Sequence, residues 1–101
     1  MNFVEFESLV NTRTDAIKKT LGKKAVEYAF GDRLYNFKRA AEIARTTPAQ
    51  ALFGMFSKHL VSVIDMVEGT RPATDAVIDE KIGDAINYLI LLEAVLKEKK
   101  S

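Results

Sequence analysis

Apolar residues recur at intervals of three, four or seven along nearly the whole of this 101-residue chain, and nowhere do they alternate with period two over a useful length. That periodicity leaves one class of fold open, a set of helices that each bury one face. Phe3, Phe6, Val10, Ile17 and Leu21 mark the first helix. Gly22, Lys23 and Lys24 interrupt it, and Lys23 to Phe30 reads either as a continued stripe or as an ordered loop, with room for a short extra helix near residue 27. Asp32 is placed to cap a second helix whose apolar positions are Leu34, Phe37, Ala41 and Ala44.

The sharpest boundary is Thr47-Pro48-Ala49-Gln50, a capping box with proline at the first helical position, where its missing amide costs nothing. Leu52, Phe53, Phe56, Leu60, Val63, Ile64 and Val67 then form the third stripe, and Gly69 is placed to end it. After a turn at Thr70 to Thr74, a last helix opens at Thr74 or Asp75 and runs to about Lys97, with Ile78, Ile82, Ile86, Leu89, Leu92 and Leu96 facing inward. Connections of about two to eight residues favour antiparallel neighbours. The expected fold is therefore all-α, one domain over residues 1–101, built as an antiparallel bundle of about four helices. Tyr88 to Leu92 is apolar nearly all round, which one buried stripe would not require. The segment is either a subunit interface in a homo-oligomer or the centre of the bundle.

Composition narrows the function. A chain this short supports one core. The absence of cysteine excludes a disulfide framework, a thiolate zinc site and a cysteine nucleophile, and a single histidine excludes histidine-rich metal sites. No apolar run approaches the ~20 residues that span a bilayer, and Glu5 and Glu7 exclude a secretory signal in the first ten residues. A soluble, intracellular protein without a membrane partner is expected. With 15 Lys+Arg against 14 Asp+Glu, direct nucleic-acid binding is not expected, because it draws on clustered positive charge. The balance conceals an asymmetry, since the basic residues lead up to Thr47 and the acidic ones after it.

Three groupings could carry chemistry. Glu80 and Asp84 stand one helical turn apart, so both carboxylates share a face on which a magnesium ion could sit with phosphate oxygens and water. Asn87 lies one turn further along the same face. On the third helix Lys58, Ser62 and Asp65 form a polar stripe, and an antiparallel packing of the last two helices would bring Asp65 towards Glu80 and Asp84. Three facing carboxylates need a cation, or neutralisation by Lys58, Lys81 and Arg71 as ordinary ion pairs. His59, beside the apolar stripe with Val63 and Met66, reads first as a satisfied, partly buried histidine. Finally, Glu27 to Arg39 gathers charges and aromatics: Arg33, Lys38 and Arg39 could meet phosphates while Tyr28, Tyr35 or Phe37 stack on a base. No glycine loop of the phosphate-cradling kind exists.

Glu27-Tyr-Ala, Asp32-Arg-Leu-Tyr-Asn-Phe-Lys, Lys58-His-Leu-Val-Ser and Glu80-Lys-Ile-Gly-Asp-Ala-Ile-Asn-Tyr-Leu together resemble a family of small phage and prophage proteins grouped with the nucleotide-modification-associated domain. The resemblance covers roughly residues 25 to 95. More distantly, the chain is similar to MazG-like all-α nucleoside triphosphate pyrophosphohydrolases, helical oligomers in which acidic motifs on two helices hold magnesium. Their second motif commonly reads Glu-Glu-Leu-Gly-Asp. In Glu80-Lys81-Ile82-Gly83-Asp84 the first acid, the glycine and the aspartate match, Lys81 stands in place of the second glutamate, and no pair of glutamates three apart supplies the first motif.

These resemblances imply a protein of the bacterial cytoplasm, in an infected or lysogenic host, that binds a nucleotide or nucleotide-like phosphate ligand as a homo-oligomer. The metal candidates are Asp65, Glu80 and Asp84, with Mg2+ as the ion. The ligand-binding candidates are Glu27, Arg33, Asn36, Lys58, His59 and Asn87. Pyrophosphohydrolase activity extends this reading. The alternative is a non-catalytic phage protein that sequesters a signalling nucleotide or inhibits a host defence protein.

Overall fold

The computed structural model describes residues 1–27 and 31–100, with the side chains of residues 23–27, 99 and 100 outside the description. Four helices follow one another as α1 (Phe3–Glu27), α2 (Tyr35–Ala44), α3 (Pro48–Glu68) and α4 (Asp75–Lys100). The all-α, four-helix reading holds, and the described residues contain no strand.

The start and stop signals of α3 and α4 act as their sequence implies. The Thr47 hydroxyl accepts from the Gln50 amide at 3.2 Å, Pro48 occupies the first turn, and Gly69 closes the helix at φ 84°, in the left-handed region where it costs least. The capping box is open on its other side, because the Gln50 side chain bonds to the Thr46 hydroxyl instead. Thr74 accepts from the Val77 amide and opens α4.

Two boundaries differ from expectation. α1 runs straight through Gly22 to Glu27, since one glycine costs only about 1 kcal/mol in a helix that good helix formers continue on both sides. Asp32 caps no helix end in the usual way: Leu34 holds the N-cap position of α2 without a side-chain cap. The Asp32 carboxylate accepts from the Leu34 amide at 3.0 Å and from the Lys38 ammonium at 2.7 Å, stapling the turn before the helix. The Lys38 hydrogen bond, with the Leu34 amide, holds the Asp32 carboxyl below its ordinary range. Lys38 is pushed up in turn, by Asp32 first and by Glu98 second.

The core is small and asymmetric. Leu34, Phe37, Leu52, Phe56 and Val95 form it, with Ala49, Met55, Leu60, Ala85, Tyr88, Leu91 and Leu92 packed around them. All come from α3, α4 and the segment around α2, and among the described residues none comes from α1. α3 and α4 form the expected antiparallel hairpin, in which Phe56 stacks on Tyr88 with centroids 5.8 Å apart. α1 lies on the other side of α4 and runs in the same direction: Arg13 reaches Asp79, whereas Leu21 shares a recess with Ile90, Leu91 and Ala94. α4 is thus the central helix, which accounts for most of the apolar run at Tyr88 to Leu92. Leu89 and Ile90 still remain partly open to solvent.

Candidate functional site

Where α1 lies along α4, the two helices leave a cleft of about 380 Å³, lined among others by Thr12, Arg13, Thr20, Glu80, Asp84 and Asn87. Its geometry starts from Gly83. A Cβ atom at that position would stand 2.6 Å from Nη1 of Arg13, so the guanidinium can rest against the α4 backbone only because residue 83 has no side chain. Arg13 donates from there to the Asp79 carbonyl and, through Nη2, to the Asp79 carboxylate, each at 3.3 Å. The Gly-Asp pair of the acidic motif therefore has a physical role: Gly83 admits the cation and Asp84 follows it into the cleft wall.

Helical spacing explains the acidic wall. Glu80 and Asp84, one turn apart, both line the cleft, with Asn87 in the next turn. Glu80 accepts from its neighbour Lys81 at 3.2 Å in an exposed pair that contributes little. Asp84 faces two ways. It borders the cleft, and its Oδ2 stands 3.5 Å from Nδ1 of His59 on α3. The His59 ring also lies against Tyr88, with centroids 4.7 Å apart. His59 is accordingly the half-buried, partnered histidine that its place beside the apolar stripe suggests, and its partner belongs to the candidate site.

A narrower recess of about 150 Å³ adjoins the cleft at Thr20, Asp84 and Asn87 and reaches Arg33, Phe37 and Tyr88. Oδ1 of Asn87 is buried there without a hydrogen-bond partner among the described residues. A buried carbonyl oxygen left in that condition costs about 1–3 kcal/mol, so the amide is set up to accept from a donor brought in from outside.

The structure brings Arg33, Glu80, Asp84, Asn87 and, through Asp84, His59 to one region. It leaves others out. Asn36 is exposed on α2, and Lys58 is exposed on α3 away from the cleft lining. Glu27 ends α1, and its side chain lies outside the described residues, as do Tyr28 and Phe30. Lys38 is held between Asp32 and Glu98, Arg39 pairs with Glu42, and Phe37 is a core residue whose ring borders the recess, so among the described residues of the aromatic and basic segment Arg33 is the one basic side chain that lines it.

The three-carboxylate cluster is not assembled. Among the described residues no three His, Asp or Glu side chains stand close enough to hold a metal ion. The antiparallel hairpin does bring Asp65 level with Glu80. However, six residues separate Asp65 from His59, which turns it about 120° round α3 from the side that meets Asp84. The Asp65 carbonyl is used to close the helix, accepting from the Thr70 and Arg71 amides.

Arg13 is the site residue that the sequence reading missed. Its signal was a charge set on an apolar stripe, three residues after Val10 and four before Ile17. Among the described residues no helix is long and apolar enough to cross a membrane. No protein-family model, no curated protein and no solved structure matches this chain.

Proposed function

We propose that this chain binds a nucleotide or nucleotide-like phosphate ligand in the cleft between α1 and α4, with a divalent cation carried in by the phosphates. The observation behind this reading is that Glu80, Asp84 and Asn87 share one wall of a cleft whose opposite wall presents Arg13. Two carboxylates alone would repel a phosphate. A magnesium ion removes that repulsion, and it takes one or two carboxylates while keeping phosphate oxygens and waters as its other ligands. Glu80 and Asp84 are the residues that would hold it, and the charge it supplies is what lets an anion settle there.

The remaining polar groups suit the rest of such a ligand. Oδ1 of Asn87 accepts an N–H, as the edge of a nucleobase presents, and Arg33 offers a guanidinium at the far end of the recess. The likeness of Glu80-Lys81-Ile82-Gly83-Asp84 to the acidic motif of all-α pyrophosphohydrolases supports the same chemistry. Capture without turnover is the form that the donor set favours. Asp79, the other carboxylate in the cleft lining, is already bonded to Arg13.

Calorimetric titration with a panel of canonical and cyclic nucleotides, with and without magnesium, tests this reading. Mass spectrometry of the bound and released species follows each titration. Saturable, magnesium-dependent binding is expected, weakened about tenfold or more by Asp84→Asn, equivalent to ~1.4 kcal/mol. Unmodified ligand recovered from the protein identifies a sequestering role, and a split pyrophosphate bond identifies an enzyme. Absence of saturable binding across the panel, or binding indifferent to both Asp84→Asn and Glu80→Gln, removes the proposal.

A further inference from the structure

The single chain exposes more surface than its mass requires. Folded monomers of 11.3 kDa expose about 5,700 Å², whereas this chain exposes 7365 Å², an excess of about 1,600 Å². Its radius of gyration, 15.6 Å, also exceeds the about 13 Å expected of a compact chain of 101 residues. A standard interface buries about 800 Å² on each partner, so the excess is what an extensive, obligate interface would cover.

The excess is not spread evenly. Every residue from Met1 to Thr12 is exposed, including Phe3 at 78% and Phe6 at 56%. Phe3, Phe6 and Val10 lie on the face of α1 that, one turn later, carries Arg13 and Ile17 against α4. The stripe continues, but the first two turns of α1 extend past the start of α4 and no other described residue covers them. A helical half supported only by its own hydrogen bonds is marginal in water, so this one needs a neighbour. A second uncovered row runs along α3: Phe53, Val61, Ile64 and Val67 share one face, and all are at least half exposed. Its carboxyl-terminal end lies at the same end of the molecule as the start of α1, yet among the described residues α1 and α3 do not pack on one another within the chain.

We infer that the start of α1 docks on the outer row of α3 in a second copy of this chain, reciprocally, so that one twofold axis covers both rows twice. Charge agrees with this pairing. Glu5 and Glu7 flank the α1 stripe and Lys58 flanks the α3 row, and among the described residues no ion pair engages any of the three side chains. A self-complementary patch of this kind closes into a dimer. The interface does not depend on the ligand reading, since no residue of either row lines the cleft.

Sedimentation equilibrium of the full chain without ligand, at micromolar concentration, tests the inference. The expected mass is twice that of the 11.3 kDa chain, or a multiple built on that pair. Phe6→Asp and Ile64→Asp should each halve it, with helicity by circular dichroism retained in α2 to α4. Because the chain contains no cysteine, a Phe6→Cys, Ile64→Cys double variant provides an independent reading. Oxidation should produce a covalent dimer that reductant reverses. A single-chain mass for the unsubstituted protein overturns the inference. So does an assembly that survives both aspartate substitutions, or one that fails to cross-link through the cysteine pair.

Discussion

Replacing Gly83 with alanine sets two effects of similar size against each other, and their difference reports directly on how α1 is held. In the interior of α4, alanine is better than glycine by about 1 kcal/mol, because it loses less backbone freedom on folding. The new methyl group would stand 2.6 Å from Nη1 of Arg13, so the guanidinium, the far end of a flexible side chain, must shift. That shift strains its two bonds to Asp79, each already 3.3 Å long. The Asp79 side chain is 77% exposed, so the pair contributes at most about 1 kcal/mol. Gly83→Ala should therefore change global stability by less than about 1 kcal/mol, while hydrogen-exchange protection of the α1 amides falls. In an Arg13→Ala background nothing remains to displace, and the same substitution should stabilise by its full ~1 kcal/mol. Urea denaturation of the four proteins of this cycle, read together with amide exchange, gives the coupling. Equal effects of Gly83→Ala in both backgrounds, with α1 protection unchanged, would refute the account of Gly83 as the seat of Arg13.

Three further outcomes follow from the fold. Leu52 is the one described side chain with no exposure, so Leu52→Ala should destabilise by about 3–5 kcal/mol in chemical denaturation, a large share of what a small domain has. Arg45 closes α2 with φ 56°, a conformation that only glycine adopts freely, so Arg45→Gly should raise stability by roughly 0.5–1 kcal/mol in the same assay. Asp32 is held below the usual carboxylate range, chiefly by Lys38. The stability it contributes is present above the ordinary aspartate pKa and is lost as pH falls through the lowered one. Thermal melts across the acid range should show a shallower decline for Asp32→Asn than for the unsubstituted chain. Parallel curves would show that the pair does not matter.

Local signals were legible wherever one residue type dictates a backbone state. Thr47-Pro48 and Gly69 mark the ends of α3 because a hydroxyl cap, a missing amide and a left-handed φ are properties of single residues. Gly22 misleads for the same reason reversed: its cost is real but small, and the helix formers around it outweigh it. The acidic pair and Asn87 were readable because helical spacing alone puts them on one face. Asp65 was not, since its contribution depends on the rotation of α3 about its axis, which the stripe fixes only once the packing partner is known. Arg13 eluded the reading because its significance arises from a glycine seventy residues away, a long-range pairing that no local pattern encodes. The sequence also suggested a bundle closed on itself, whereas among the described residues α1 packs against α4 alone, outside the core formed by Leu34, Phe37, Leu52, Phe56 and Val95.

In the proposed function, the α1–α4 cleft takes a phosphate ligand through a cation held by Glu80 and Asp84. Titrating ¹⁵N-labelled protein with a magnesium-bound nucleoside triphosphate, and following each backbone amide, tests it most directly. Saturable shifts should gather at Arg13, Thr20, Gly83, Asp84 and Asn87, vanish when magnesium is removed, and vanish in Asp84→Asn. Shifts of equal size without magnesium, or shifts centred on residues outside the cleft, would contradict it.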